Sequence, residues 1–305
     1  MWGFDAPGII GSMETPSDYE LLDAGDGRRL ERFGAVIVDR PAASAIAPRR
    51  EPSAWSTADA RFDRSERGEV RHAGWTTTDG RPTAPWTVAE GGVSFELRLA
   101  PSGQVGLFPE QAPNRRWIAE RVVAQADRRS ADDAPDVLNL FGYTGGSTIA
   151  AVAVGAHATH VDAARPAVAW ARRNAELNGF AERPVRWIAD DATAFVRREV
   201  KRGRRYSGVV LDPPSYGHGA GGRDWRLERD LPPLLAECGR LVGGAPDAFI
   251  ALTAHTPGVG GDLLADWLGA AVPRGDIAVD ELGLRAVSGT RLLLGWSIRW
   301  TPASA

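Results

Sequence analysis

A single cysteine, Cys238, stands in 305 residues. One thiol excludes an intrachain disulfide framework and a cysteine-rich zinc site. A single lysine, Lys201, leaves nearly all the positive charge to arginine, a compositional bias that carries no functional weight. No apolar run reaches the roughly 18–20 residues that a membrane span needs. The opening MWGFDAPGII lacks a basic stretch followed by an apolar one, so no signal peptide is read there. The cytoplasm is the expected compartment. Excess charge of either sign is also missing: the net charge is −3 and the pI about 6.0. That excludes a free-standing, strongly basic nucleic-acid binder but leaves a local basic face open. No metal-ligand cluster is apparent, and no metal is expected.

The composition itself is that of an ordinary globular chain, 43% hydrophobic and 25% charged. The length admits one large α/β domain plus a smaller one. Residues 1–105 read as a small β-rich N-terminal domain. Ala35–Val38 is a short apolar strand, and Val93–Leu99 alternates apolar and polar as a half-buried strand does. Pro101-Ser102-Gly103 predicts a turn and Gln104–Phe108 a return strand, while residues 42–70 suggest an exposed excursion.

The pattern changes towards residues 106–305, where strands and helices alternate. Strands are predicted at 137–141, 157–162, 185–189, 206–211 and 248–252. Helices are predicted at 147–154, 166–178, 192–200, 227–242 and 262–271, after one near Trp117–Val123. Pro166 at a helix start and Gly179 just past its end fit capping asymmetry. Repeated βα units argue for a parallel sheet with helices on both faces. The last two strands, Ile277–Leu282 and Arg291–Trp300, are joined by only about eight residues, too few for a parallel crossover, so that pair is expected to be antiparallel. The expected fold is therefore Rossmann-like α/β, a seven-stranded sheet with an antiparallel last strand. Residues 217–225, with four glycines, suggest a mobile loop.

Four motifs carry chemistry. Asn139-Leu140-Phe141-Gly142-Tyr143-Thr144-Gly145-Gly146 follows an apolar strand and opens a helix. In open α/β sheets ligands bind beyond the carboxyl ends of strands, where glycine admits close approach and a helix N-terminus offers free N–H donors. The pattern matches neither the dinucleotide fingerprint nor the phosphate loop. Asp162 ends the next strand, 20 residues after Gly142, the spacing at which an acid accepts from ribose hydroxyls; a helix cap is the alternative. Asp190 and Asp191 end the third strand. One suits an adenine amino group, with Asp191 favoured, and one a helix cap. Asp212-Pro213-Pro214-Ser215-Tyr216 ends the fourth: a carboxylate and stiffened backbone carbonyls beside a ring that stacks on a planar base, or a plain turn with Tyr216 in the core.

Together these motifs resemble the class I methyltransferase family that includes the bacterial 23S ribosomal RNA methyltransferases of the RlmI and RlmK type. N-L-F-G-Y-T-G-G at 139–146, H-V-D at 160–162, A-W-A-R-R-N-A-E-L-N-G at 169–179, D-D-A at 190–192 and L-D-P-P-S-Y-G-H-G at 211–219 are similar to its motifs in order and spacing. Gly106–Gln111 with Asn114-Arg115 resembles its lead-in segment, and the likeness covers about residues 104–256.

The resemblance implies S-adenosylmethionine as cofactor and RNA as a partner. It implies that Phe141, Gly142 and Gly145, with Asn139, Tyr143 and Thr144 around them, shape the methionine side of a pocket. Asp162 would hold the ribose, and Asp191 with Asp190 the adenine. Asp212, Pro213 and Tyr216 would face the methyl group and its acceptor, and Gln111 and Arg115 would cover the cofactor. The expected reaction is direct methyl transfer to a nucleic-acid base, ribosomal RNA foremost. A small-molecule methyltransferase and a non-catalytic RNA-binding protein are the alternatives. A dehydrogenase is disfavoured by the glycine pattern.

Departures narrow the chemistry. Where ring-carbon methyltransferases of the family carry a nucleophilic cysteine, this chain has Thr253-Ala254-His255-Thr256. Cys238 lies in an apolar helical stretch and reads as buried. Asp-Pro-Pro-Ser-Tyr is one residue longer than the Asp-Pro-Pro-Tyr of amino-group methyltransferases, which speaks against their reaction. The RNA-binding N-terminal domain of some relatives is not recognisable. His255 reads as a loop histidine without a catalytic role, a base or substrate contact being the other reading. The basic run Arg197–Arg205 reads as a solvated helix end rather than a phosphate contact.

Overall fold

A computed structural model describes residues 17–64, 74–82, 84–130, 133–218 and 224–303. MWGFDAPGII and residues 219–223, part of the glycine-rich stretch, lie outside the described residues. The chain divides into two compact units: residues 17–112 with Gly283–Leu294, and Pro113–Leu282 with residues 295–303.

The first unit carries a five-stranded sheet in sequential order: β1 (Tyr19–Gly25), β2 (Arg28–Phe33), β3 (Val36–Pro41), β4 (Ala60–Asp63) and β5 (Gly74–Thr77). Only the β3–β4 pair is parallel. A separate hairpin joins β6 (Trp86–Glu90) to β7 (Val93–Leu97). The β1–β2 turn puts both Asp26 and Gly27 at positive φ, 52° and 74°, and the β6–β7 turn does so with Gly91 and Gly92, at 60° and 80°. Two-residue turns of this hand match the twist of the strands they join. One expectation is corrected here and another is refined. Gln104–Phe108 forms no strand; it returns beside residues 98–100, with backbone bonds from Arg98 N to Val105 O and from Ala100 N to Gln104 O. The expected exposed excursion is anchored: residues 42–64 are exposed at most positions, but Ala42, Ala45, Trp55, Ala60 and Phe62 are buried, and residues 65–70 lie outside the described residues.

The second unit begins with α1 (Ala112–Ala126) and runs β8 (Asp136–Leu140), α2 (Gly146–Ala153), β9 (His157–Asp162), α3 (Arg165–Leu177), β10 (Val185–Ala189), α4 (Ala192–Lys201) and β11 (Gly208–Leu211). A small hairpin of β12 (Tyr216–His218) and β13 (Asp224–Arg226) follows, then α5 (Leu227–Val242), β14 (Phe249–Ala254), α6 (Gly261–Ala271), β15 (Gly275–Arg285) and β16 (Arg291–Pro302). The sheet has seven strands in the order β10-β9-β8-β11-β14-β16-β15. Its first five strands pair in parallel, and β16 lies antiparallel to β14.

Alternation along the strands builds two cores. Leu138, Leu140, Val209, Leu211, Ile250 and Leu252 face α4, α5 and α6, where Cys238 is fully buried. Val137, Val210, Phe249 and Ala251 face Ile118 and Val122 of α1. Each such Leu or Ile, fully buried, contributes about 1.5–3 kcal/mol. The chain leaves β8 in one direction for β9 and β10 and returns to its other side for β11, so the switch point lies between β8 and β11. Ligands bind in such sheets outside the carboxyl edge at that point.

Candidate functional site

The glycine turn sits at that carboxyl edge. Phe141 and Tyr143 hold positive φ, 55° and 46°, and Gly145 caps α2 at φ 89°. A non-glycine residue there costs of order 1–3 kcal/mol and persists only where the surroundings enforce it. The enforcement is visible. Gly142 N donates to Val161 O at 3.0 Å, and Tyr143 N to a carboxylate oxygen of Asp162 at 2.9 Å. The other Asp162 oxygen accepts from Ala164 N at 2.8 Å, so this side chain ties the β8 turn to the β9 turn.

Gly142 is required for a reason unrelated to ligand approach. A Cβ added there would lie 2.4 Å from the buried ring of His160. His160 Nδ1 is 3.0 Å from Thr148 Oγ1, which also accepts from Asn139 Nδ2 at 2.9 Å. Asn139 is thus buried beneath the turn. Thr144 is buried too, its carbonyl held by Asn174 Nδ2 at 3.0 Å. Burial pushes the His160 imidazole down to about 4, which keeps it neutral. Arg115, buried on α1, lies against the start of α2: a Cβ on Gly146 would meet its Cδ and Nη1 at 3.4 Å. Gln111 is buried at the end of a short 3-10 turn in the first unit.

At the end of β10 the two aspartates divide their work. Asp191 caps α4, its Oδ1 accepting from Ala194 N at 2.8 Å. Asp190 accepts from Asp191 N at 2.8 Å and pairs with Arg198. The strand ends of β9, β10 and β11 therefore present carboxylates on both sides of the turn. Carboxylates accept from ribose hydroxyls and from an amino group, so this set of acceptors fits an adenosyl group.

Beyond β11, Asp212 is part-buried, Pro213 buried and Tyr216 72% exposed, so Tyr216 is not a core residue. Tyr216 instead opens the β12–β13 hairpin, with the guanidinium of Arg226 5.9 Å from its ring centre. The expected glycine-rich loop is thus a hairpin on both flanks of residues 219–223. Trp225 on β13 donates to Pro214 O at 2.7 Å, occupying one of the carbonyls expected to point outward. Its ring packs 5.3 Å from Phe141, centre to centre. Trp225 carried no sequence signal beyond its bulk. Asp212 Oδ1 accepts from Thr253 Oγ1 at 2.6 Å and lies 3.4 Å from His255 Nε2. The sequence gives Thr253 no such role, and His255 reads there as a loop histidine, with a base or substrate contact as the other reading.

Elsewhere, Cys238 is buried and its thiol is pushed up by burial, far from nucleophilic. Within the basic run, Arg198 pairs with Asp190, Arg202 with Glu199 and Arg204 with Asp136. A cavity of about 680 Å³ opens at the opposite edge of the sheet, beside Arg129, Asp136 and Asp247. It lies at the amino ends of the strands, away from the switch point. Among the described residues no helix is long and apolar enough to cross a membrane, and no group of three His, Cys, Asp or Glu side chains is placed to hold a metal.

Comparison with known proteins agrees with this geometry. Ribosomal RNA large subunit methyltransferase K/L of Magnetococcus marinus is 34% identical over 166 residues, 53% of this chain and 21% of that protein. Ribosomal RNA large subunit methyltransferase I of Aeromonas salmonicida is 32% identical over 136 residues, 44% of this chain and 32% of that protein. The chain therefore spans about a fifth to a third of the length of these curated relatives. The crystal structure of the SAM-dependent methyltransferase from Agrobacterium tumefaciens superposes with a TM-score of 0.84 at 33% identity, covering 95% of this chain and 92% of that one. The profile of the S-adenosylmethionine-dependent methyltransferases matches residues 50–265, and the chain belongs to that family.

Proposed function

We propose that the chain transfers a methyl group to a base of ribosomal RNA in the cytoplasm, with residues 106–305 as its methyltransferase domain and residues 1–105 as a small β-rich domain. The carrying observation is the ring of carboxylates, Asp162, Asp191 and Asp212, around a strained turn at the switch point. S-adenosylmethionine supplies an electrophilic methyl group on a sulfonium. Asn139, Phe141, Gly142, Tyr143, Thr144, Gly145 and Arg115 form the wall that orients its methionine part. Asp162 accepts from the ribose, and Asp191 with Asp190 from the adenine. Asp212 and Pro213 border the acceptor, and Tyr216 stacks on its base. Holding donor and acceptor in line and away from water accounts for rate without a protein nucleophile.

The net charge of −3 favours a second reading, a small-molecule acceptor. Calorimetric titration with S-adenosylmethionine, S-adenosylhomocysteine and NAD, with Asp162→Ala as control, tests the cofactor. Transfer of tritiated methyl to unmodified 23S ribosomal RNA tests the acceptor. Binding of both adenosyl compounds but not NAD, with label in RNA, is the expected result. Binding without label in RNA favours the small acceptor. NAD binding alone sinks both readings.

A further inference from the structure

Strand β14 runs parallel to β11 with Leu211 opposite Leu252. One step further, the register sets Asp212 beside Thr253. Side chains two residues apart share a face of a strand, so His255 comes to the same carboxylate as Thr253. Both reach Oδ1 of Asp212: the Thr253 hydroxyl at 2.6 Å and His255 Nε2 at 3.4 Å. His255 is fixed from behind, because Gly295 on β16 leaves just enough room for its ring. A Cβ there would lie 3.0 Å from Nδ1. Thr256, one residue on, holds Ser215 at 2.8 Å between hydroxyls, which anchors the Asp-Pro-Pro-Ser turn to the same segment. A seated imidazole on a carboxylate that borders the acceptor is more than a loop histidine.

We infer that His255 is a positioning residue for Asp212, and that the two together take up a proton from the methyl acceptor. The inference rests on the methyltransferase reading above and adds a substrate class to it: the acceptor atom carries hydrogen, as an amino or hydroxyl group does. In the step, the acceptor's lone pair forms the new bond to the methyl carbon, and the sulfur–carbon bonding pair stays on sulfur as a neutral thioether. The N–H or O–H bond then gives its electron pair back to the acceptor. Its proton goes to the Asp212–His255 pair and from there to solvent, since the His255 side chain is 31% exposed. The extra residue in Asp-Pro-Pro-Ser-Tyr does not oppose this. Tyr216 stands on the β12–β13 hairpin, and Asp212 directly follows β11.

Two measurements on the full chain test the inference. In the first, His255→Ala, His255→Gln and the unsubstituted chain methylate unmodified 23S ribosomal RNA, and the labelled nucleoside is identified. His255→Ala is expected to lose about a hundredfold in kcat, the scale of a lost proton-transfer partner, while calorimetric affinity for S-adenosylmethionine holds. His255→Gln, which keeps an N–H donor towards Asp212, is expected to recover most of the loss, and the methyl is expected on an amino or hydroxyl group. A ring-carbon product, or full activity of His255→Ala, overturns the inference. In the second, NMR follows the His255 imidazole with pH in the unsubstituted chain and in Asp212→Asn. The expected result is a titration at higher pH when the carboxylate is present. Identical titrations overturn the pair. A chain that shows the shift but labels no RNA keeps the pair and sinks the RNA reading instead.

Discussion

Asp162 uses both carboxylate oxygens on backbone N–H groups, of Tyr143 and Ala164. Its removal therefore acts twice, on the pocket and on the fold. Losing a partner of two backbone donors costs about 1–3 kcal/mol, so Asp162→Ala is expected to lower the denaturation midpoint as well as cofactor affinity. Asp162→Asn keeps one acceptor and should fall between the two. Unchanged stability in Asp162→Ala would mean that the turn does not depend on this tie. His160 makes a pH-dependent contribution below the same turn. Burial pushes its folded pKa down from 6.5 to about 4, so the unfolded chain binds the proton first as pH falls. The stability held by neutral His160 is complete above about pH 6.5 and is lost as pH drops towards 4, by about 3 kcal/mol in all. Thermal unfolding across that window should be flatter for His160→Asn than for the unsubstituted chain. Parallel curves would rule the histidine out as the cause.

Elements differ in how openly the sequence declares them. The second unit was legible because alternating βα grammar is local. His157–Asp162, Val185–Ala189 and Leu227–Val242 are predicted at the bounds they adopt. The first unit was less so. Asp26-Gly27 and Gly91-Gly92 are two-residue hairpin signals, and reading them would have placed β1, β2 and β6. The pairing of Val93–Leu97 with Trp86–Glu90 rather than with residues 104–108 follows from the second of them. Within the candidate site, the motif residues gather at the carboxyl edge of the sheet, a placement that residue type and spacing make legible. The partners of Asp212 were not legible, since Thr253 and His255 reach it through the β11–β14 register, 41 residues and more along the chain. Trp225 was hidden because its ring partner, Phe141, lies far back along the chain. It steadies the β12–β13 hairpin through Pro214 O and Phe141. Trp225→Ala is expected to speed amide exchange in β12 and β13 about tenfold, the effect of losing about 1.4 kcal/mol from a packed ring pair and its hydrogen bond. Trp225→Phe, which keeps the ring, should exchange at an intermediate rate. Equal rates in all three would place the hairpin's stability elsewhere.

At the scale of the whole molecule the chain visits its first unit twice, since Gly283–Leu294 returns to residues 17–112 after the seven-stranded sheet is nearly complete. That return closes a core. Ala286 and Leu292 are buried with Leu21, Ala24, Ala42 and Ala45, and Val287 N donates to Leu21 O at 2.8 Å. It also completes the shell of a buried carboxylate. Asp23 accepts from Trp55 Nε1 at 3.0 Å, from Glu51 N at 3.0 Å and from Ser288 Oγ at 2.7 Å. Burial alone would raise the Asp23 pKa, but these donors outweigh it and hold the group below its usual 3.8. The ionised form is therefore the stable one, and its contribution is present above about pH 3.8 and fades as pH falls through the lower folded value. Residues 1–112 alone would leave Asp23 short of a donor and Leu21 without Leu292, whose full burial is worth about 1.5–3 kcal/mol. That loss is large against the stability of a unit this size. A chain of residues 1–112 is expected to melt without a cooperative transition by circular dichroism. The same residues joined through a glycine–serine linker to 283–294 should regain one, and Ser288→Ala in that linked chain should lower its midpoint near neutral pH more than at pH 3. Equal melting of the short and linked chains would show that the first unit folds without its returning strand tip, and the buried cluster would then be a product of folding rather than a condition for it.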